Sequence, residues 1–130
     1  MAHPNEELVR LGYKAFTAGD MDTLADIMSP DVVHTVPGNN QISGEHKGRD
    51  AVFAMYGKLA ELTDGNLEVE LEDVKVDGDN RVVATHHNSG ERGGKTLDTH
   101  STLDFTIDDG KITRIDESYD DQAAEDAFWA

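Results

Sequence analysis

Residues 29–56 read SPDVVHTVPGNNQISGEHKGRDAVFAMY, and the succession of elements in this stretch decides the fold. Asp31-Val32-Val33-His34-Thr35-Val36 reads as a strand, because β-branched residues suit a pleated surface, and Pro37-Gly38 ends any ladder it could continue. A period of two puts Val32, His34 and Val36 on one face. Asn39-Asn40 and Ser43-Gly44 are turn formers, so residues 41–47 are expected to be at most a short strand or hairpin arm before Gly48. From Arg49 onward Val52, Phe53, Tyr56, Leu59 and Ala60 recur at helical spacing. One strand thus aims a histidine and two valines at a surface that an aromatic-faced helix can cover, which is the start of a pocket.

Upstream, residues 5–17 read as a helix whose apolar stripe is Leu8, Leu11, Gly12, Ala15 and Phe16, with Val9 and Tyr13 on its margin. Ala18-Gly19-Asp20 ends it, since glycine suits a left-handed cap and Asp20 can cap a second helix over residues 21–28. Ser29-Pro30-Asp31 stops that helix. Downstream of the third helix, Leu67, Val69 and Leu71 alternate with Glu68, Glu70 and Glu72, the pattern of a half-buried strand. Val74 and Val76 extend it with the apolar positions shifted by one, which predicts a bulge near Asp73. Asp77-Gly78-Asp79-Asn80 turns into a strand over residues 81–88, and the glycine-rich residues 89–95 read as a loop. A long alternating strand from Leu97 to Ile107 follows, then the turn Asp108-Asp109-Gly110-Lys111 and a last strand over 112–119. Residues 120–130 read as a short acidic helix or tail ending in Phe128-Trp129. Segregated helices and a hairpin sheet make one α+β domain over residues 1–130.

Composition bounds the function. The 130 residues suit a single domain with a real core. No cysteine is present, which removes disulfides, thiolate metal sites and cysteine nucleophiles. Asp and Glu number 27 against 11 Lys and Arg, a formal net charge of -16. Such a field repels nucleic acid and anionic membranes, so neither is an expected partner. The acidity reads either as surface solubility or as adaptation to a salty cytoplasm, where screening relieves self-repulsion. The N-terminus lacks the basic and apolar regions of a secretory signal, no run is long enough to span a membrane, and the expected location is cytoplasmic.

Seven short motifs in order then carry a resemblance: Phe16-Thr17-Ala18-Gly19-Asp20, Pro30-Asp31-Val32-Val33, Val36-Pro37-Gly38, Gly48-Arg49-Asp50-Ala51-Val52, Gly94-Lys95, Asp109-Gly110-Lys111-Ile112 and Asp120-Asp121-Gln122-Ala123-Ala124. From about residue 5 to 129 the chain resembles the SnoaL-like, ketosteroid-isomerase-like branch of the nuclear-transport-factor-2-like superfamily. The resemblance implies a cone-shaped, cystatin-like roll. Three N-terminal helices pack in a strongly curved, mostly antiparallel sheet, the open end is an apolar cavity, and two copies pair through the outer sheet face. It does not imply a standard steroid isomerase: by register the base would fall at Val36, the neutral acid near Ser101 and the tyrosine near Gly12, one position from Tyr13. Fold alone leaves function open.

The candidate catalytic residues are His34, Asp121 and Glu117. His34 reads as a titratable group in an apolar pocket, suited to proton transfer, or as a core histidine bonded to a carbonyl or to Tyr13 or Tyr56. Glu117, deep on the last strand, and Asp121, at the cavity mouth, read as general acids or bases or as members of a solvated acidic surface. Of His86 and His87 only one can point inward. A zinc site at His34 and one of these lacks ligand spacing, and no metal or organic cofactor is expected. The expected lining is Tyr13, Phe16, Val36, Phe53, Tyr56, His86, Thr99, Ser101, Leu103, Phe105 and Trp129, with Tyr56, Ser101 and Asp121 as hydrogen-bonding partners of His34. These residues point to an enzyme of uncertain reaction, performing acid-base isomerase, dehydratase or cyclase chemistry on a small apolar, oxygenated ligand. The alternative is a noncatalytic ligand-binding or dimeric partner-binding scaffold.

Overall fold

A computed structural model describes residues 3–130. Helix α1 (Pro4–Ala18) starts at His3, whose Nδ1 accepts from the Asn5 N–H at 3.1 Å, and closes on Gly19 in the left-handed conformation at φ 70°. His3 is thus a helix cap. The buried face of α1 is rotated from the expected stripe: Val9 is 1% exposed whereas Leu11 is 42% exposed. The helix lies across the inner face of the sheet, so Val9, Tyr13 and Phe16, spaced i, i+4, i+7, turn inward instead. Gly12 permits close approach to the next helix, because a Cβ there would stand 3.3 Å from Ile27 Cδ1.

Helix α2 (Met21–Ile27) is capped by Asp20, whose carboxylate accepts from the Thr23 N–H at 3.1 Å. Strand β1 (Met28–Val36) begins earlier than the proline suggested. Met28 pairs with Ile112, the ladder is interrupted around Pro30, and pairing resumes at Val33. Pro30 therefore falls in an irregularity where no ladder hydrogen bond is needed. Strand β2 (Gly44–Lys47) folds back antiparallel on β1 and contains His46, which donates to the Ile42 carbonyl at 2.8 Å. Helix α3 (Arg49–Leu62) then crosses the inner face, with Val52 and Met55 buried and Ala60 exposed.

Strand β3 (Glu68–Val76) carries the expected bulge, its register shifting between Leu71 and Asp73. Strand β4 (Arg81–Arg92) corrects the expected loop over 89–95: its ladder with β5 (Lys95–Asp108) continues to the pair Arg92↔Lys95, and only Gly93-Gly94 turn, at φ 54° and 80°. Two adjacent glycines supply the positive φ that a tight hairpin needs, so no longer loop is required. Strand β6 (Lys111–Tyr119) and helix α4 (Gln122–Phe128) complete the chain. The sheet order is β2-β1-β6-β5-β4-β3, with β1 and β6 parallel and the other neighbours antiparallel. One apolar cluster, including Val9, Val32, Val82, Phe105 and Ile115, packs α1–α3 against the sheet. A second joins Val36, Ile42, Met55, Leu97, Phe128 and Trp129 where α4 closes over the sheet. Among the described residues no helix is long and apolar enough to cross a membrane.

Candidate active site

Cross-strand register sets the inner wall. Successive rows over β6, β5 and β4 are Ile115, Phe105 and Val82, then Glu117, Leu103 and Ala84, then Tyr119, Ser101 and His86. Between this wall and α1 and α3 the packing is incomplete. A cavity of ≈ 100 Å³ remains, several times the roughly 10–15 Å³ that one water needs. Its walls are mostly apolar, with Val9, Phe16, Leu24, Met55, Leu103 and Phe105 among them.

A chain of three polar groups crosses one end. On β1, His34 lies opposite Ile115, so its side chain is diagonal to Glu117 two residues further along β6. His34 Nε2 stands 2.8 Å from Glu117 Oε1, and Nδ1 stands 3.1 Å from the Tyr56 hydroxyl on α3. The carboxylate can only accept, so Nε2 carries the hydrogen in the neutral ring and Nδ1 accepts from Tyr56 O–H. Both side chains are withdrawn from solvent, His34 at 4% and Glu117 at 11% exposure. Burial pushes the Glu117 carboxyl up, but the His34 hydrogen bond, the fields of His34 and His86 and the Ser101 hydroxyl outweigh it and hold the acid below its ordinary range. Burial, aided by the Glu117 charge, raises Tyr56 and Tyr13 well above the usual phenol value, so both keep their hydrogens.

A second pair stands on the β4 side. The Tyr13 hydroxyl on α1 is 2.6 Å from His86 Nδ1, with the rings edge to face. Burial lowers His86 against the opposing pull of Glu117, which favours the neutral ring. Behind it, Asn88 Nδ2 donates to Ser101 Oγ at 2.7 Å. At the α4 end, Glu125 accepts from Thr99 Oγ1 at 2.5 Å and from Trp129 Nε1 at 2.8 Å. Burial raises the Glu125 acid, although those two donors pull the other way.

The structure brings His34, Glu117, Tyr13, Phe16, Val36, Tyr56, His86, Leu103, Phe105 and Trp129 to the cavity wall. It does not bring the others there. Asp121 is exposed and caps α4 by accepting from the Ala124 N–H at 3.1 Å, so neither the cavity nor His34 has it as a partner. Phe53 is not among the lining residues; its ring is tilted against Tyr56 with centroids 6.3 Å apart. Thr99 and Ser101 are buried within the wall, where they bond to Glu125 and Asn88 rather than to His34. His87 is the outward histidine, paired with Asp98 and stacked on His100. Sequence reasoning missed Glu125 and Asn88 as lining residues. Tyr119 follows Glu117 by two, and Glu125 precedes Trp129 by four, the spacing that lets a helical carboxyl reach an indole N–H. Among the described residues no group of three or more histidines and carboxylates is arranged to hold a metal ion.

Comparison with known proteins fits this architecture. The SnoaL-like domain family matches residues 9–115. An uncharacterised protein of Mycobacterium tuberculosis is 40% identical over 124 residues, covering 95% of both chains. Among solved structures, Bal32a from a soil-derived mobile gene cassette is 38% identical with a TM-score of 0.95, covering 98% of this chain and 97% of its own. A protein of unknown function with a cystatin-like fold from Xanthomonas campestris is 36% identical with a TM-score of 0.89, covering 95% and 96%.

Proposed function

The chain belongs to the SnoaL-like domain family, and from that premise we propose that it is a small-molecule enzyme performing cofactor-independent proton transfer, of the isomerase, dehydratase or cyclase kind, on an apolar oxygenated ligand. The observation that carries this reading is the hydroxyl–imidazole–carboxylate chain Tyr56–His34–Glu117 in an otherwise apolar cavity. Such a chain is costly to bury and is suited to moving protons.

In this reading Glu117, rather than His34, is the base. Both ring nitrogens of His34 are engaged, whereas the ionised carboxylate keeps lone pairs beyond the one that His34 occupies. Glu117 takes a proton from a ligand carbon next to a carbonyl, or from a hydroxyl, leaving an enolate or alkoxide in the cavity. It then returns that proton at another atom. His34 holds the carboxylate in place and keeps it ionised, and Tyr56 fixes the tautomer of His34. Exclusion of water protects the anionic intermediate from quenching.

The test is hydrogen exchange at the α-carbon of an aryl ketone such as 1-tetralone in deuterated buffer, followed by proton NMR. The wild-type protein should accelerate exchange, and Glu117→Gln should lose about 10²- to 10⁴-fold of it, the usual weight of a positioned acid-base group. Equal rates in the two would refute the assignment. The noncatalytic reading has its own support in the completeness of the network, where His34, His86, Asn88 and Glu125 all have partners. Tight binding of ketones with no exchange above buffer would decide for it.

A further inference from the structure

The proton-transfer chain leaves the Tyr13–His86 pair unused. Tyr13 comes from α1 and His86 from β4, whereas Tyr56, His34 and Glu117 come from α3, β1 and β6. In the sheet order β1 and β4 are separated by β6 and β5, so the two hydroxyl–imidazole pairs face the cavity from different sides. Their electrical character differs as well. His34 is bonded to a carboxylate, but His86 Nδ1 is bonded to a phenol.

The cavity also lacks any counter-charge for an anion. Its described lining residues include no lysine or arginine. The nearby cations are committed elsewhere: Arg49 donates to the Ala25 carbonyl at 3.0 Å, Arg92 to the Phe128 carbonyl at 2.9 Å and Lys95 to the Ala127 carbonyl at 2.9 Å. A carboxylate or phosphate inside would face Glu117 without a partner in a poorly solvated space.

We propose that Tyr13 and His86 form a second recognition element, which selects uncharged ligands carrying two oxygen functions, one held by this pair and the other, a hydroxyl, donating to Glu117, because the carboxylate only accepts and the Tyr56 hydrogen is already given to His34. A neutral imidazole can either accept the Tyr13 hydrogen at Nδ1 or donate its own to the Tyr13 oxygen. In the first state the phenol offers a ligand lone pairs, and in the second it offers a hydrogen. The pair therefore takes either a carbonyl or a hydroxyl by a change of tautomer, with no charge moved. Asn88, locked onto Ser101, borders the same side and keeps the strand positions beside His86 fixed. Ligands with a single oxygen leave one end of the cavity facing apolar surface, and anionic ligands are refused.

The inference rests on the reading above only in taking this cavity as the ligand site. Its test reads binding and not turnover, so either can fail while the other stands. Calorimetric titration at pH 7 would compare 4-hydroxyacetophenone and 6-acetyl-2-naphthol, which carry two neutral oxygens, with phenol and 2-naphthol, which carry only the hydroxyl for Glu117, and with 4-hydroxybenzoate and 6-hydroxy-2-naphthoate, which are anions. The two-oxygen ketones should bind about 5- to 10-fold tighter than their one-oxygen counterparts, the yield of one additional hydrogen bond. The anions should bind at least tenfold more weakly than the hydroxyketones. In Tyr13→Phe that preference should shrink below about twofold while affinity for phenol and 2-naphthol stays within about twofold. A general loosening of the fold would instead weaken both classes alike. If Tyr13→Phe melts early, His86→Gln supplies the same comparison. An unchanged preference in both variants, equal binding of the anions, or no binding by either hydroxyketone would overturn the proposal.

Discussion

Replacing Glu125 by glutamine tests how the closing helix is held. Glu125 is 1% exposed, yet its partners are neutral: the Thr99 hydroxyl from β5 and the Trp129 indole N–H from its own end of the chain. The charged groups that face it, Glu117 on β6 and Asp120 just beyond that strand, are both acids and raise it further after burial has done so. Tyr119 beside them is held as a phenol by burial and by the carboxylates of Glu117 and Glu125. A folded-state value raised above the unfolded one means that the native protein binds this proton more tightly. The resulting stabilisation is full below the unfolded value and is lost as pH rises through the folded value.

Glutamine mimics the protonated acid, with its carbonyl accepting from Trp129 and its amide donating to Thr99. At acid pH the variant should therefore lie within about 1 kcal/mol of wild type, one hydrogen bond at most, or roughly 4 °C in melting temperature for a chain of this size. With rising pH, wild type should lose up to about 1.4 kcal/mol per unit across the window between unfolded and folded values, while the variant loses nothing at this site. Thermal melts of both proteins from pH 4.5 to 8.5 give the difference curve, in which all shared titrations cancel. The variant should gain on wild type steadily as pH rises. A difference that does not vary with pH, or that varies in the opposite direction, would refute the reasoning.

Trp129→Ala should cost about 3–5 kcal/mol, since it removes a buried indole and leaves one Glu125 oxygen without its donor; urea unfolding measures it, and a loss under 1 kcal/mol would show that α4 is not part of the core. Gly38→Ala should cost about 1–3 kcal/mol, because Gly38 sits at φ 96° and a Cβ would meet the side-chain ends of Gln122 and Asp126, displacing the carboxylate that holds Asn39 and Asn40. Equal melting temperatures of the two proteins would contradict that. Raising KCl from 0.1 to 1 M shortens the Debye length from about 10 to about 3 Å, so a chain of net charge -16 should melt higher in the concentrated salt. A flat or falling melting temperature would rule out self-repulsion as a destabilising force.

Much of this was legible in the sequence, for reasons that can be named. Period-two alternation groups His34 with Val32 and Val36, Leu103 with Phe105, and Glu117 with Ile115, and the structure turns those faces of β1, β5 and β6 inward. The bulge between Leu71 and Asp73 was visible because a register slip moves every apolar side chain to the other face. Where reading failed, the deciding interaction was remote. The stripe on α1 is ambiguous by one position, and only the sheet beneath it selects Val9 and Tyr13 over Leu11. Residues 89–95 look like a loop because glycine and serine dominate, yet the partner strand supplies hydrogen bonds up to Arg92. Asp121 and Glu125 are both acids in a short acidic helix, and composition gives no reason to bury the second and expose the first. The cap position decides it: Asp121 precedes the helix and turns to its free N–H groups, whereas Glu125, one turn inside, points at the sheet.

Glu117 and Glu125 line one cavity, and burial pushes both toward the neutral acid, yet they are driven in opposite directions. The difference is in what each can lean on. Glu117 has an imidazole that can share or take a proton, whereas Glu125 has only a hydroxyl and an indole. The cavity thereby holds one carboxyl drawn toward its ionised form and one pushed toward its acid form, and the His34 ring makes the distinction. His34→Gln keeps a hydrogen-bond donor near Glu117 but removes the group that can become positive. In that variant the Glu117 carboxyl should rise past its ordinary value and titrate in the manner of Glu125. Carbon-13 NMR of protein labelled at the glutamate side-chain carboxyl, with Glu117→Gln and Glu125→Gln spectra assigning the two signals, reads both titrations directly. A Glu117 signal still titrating below the ordinary carboxyl range without His34 would show that the strand geometry, and not the histidine, holds this carboxylate ionised.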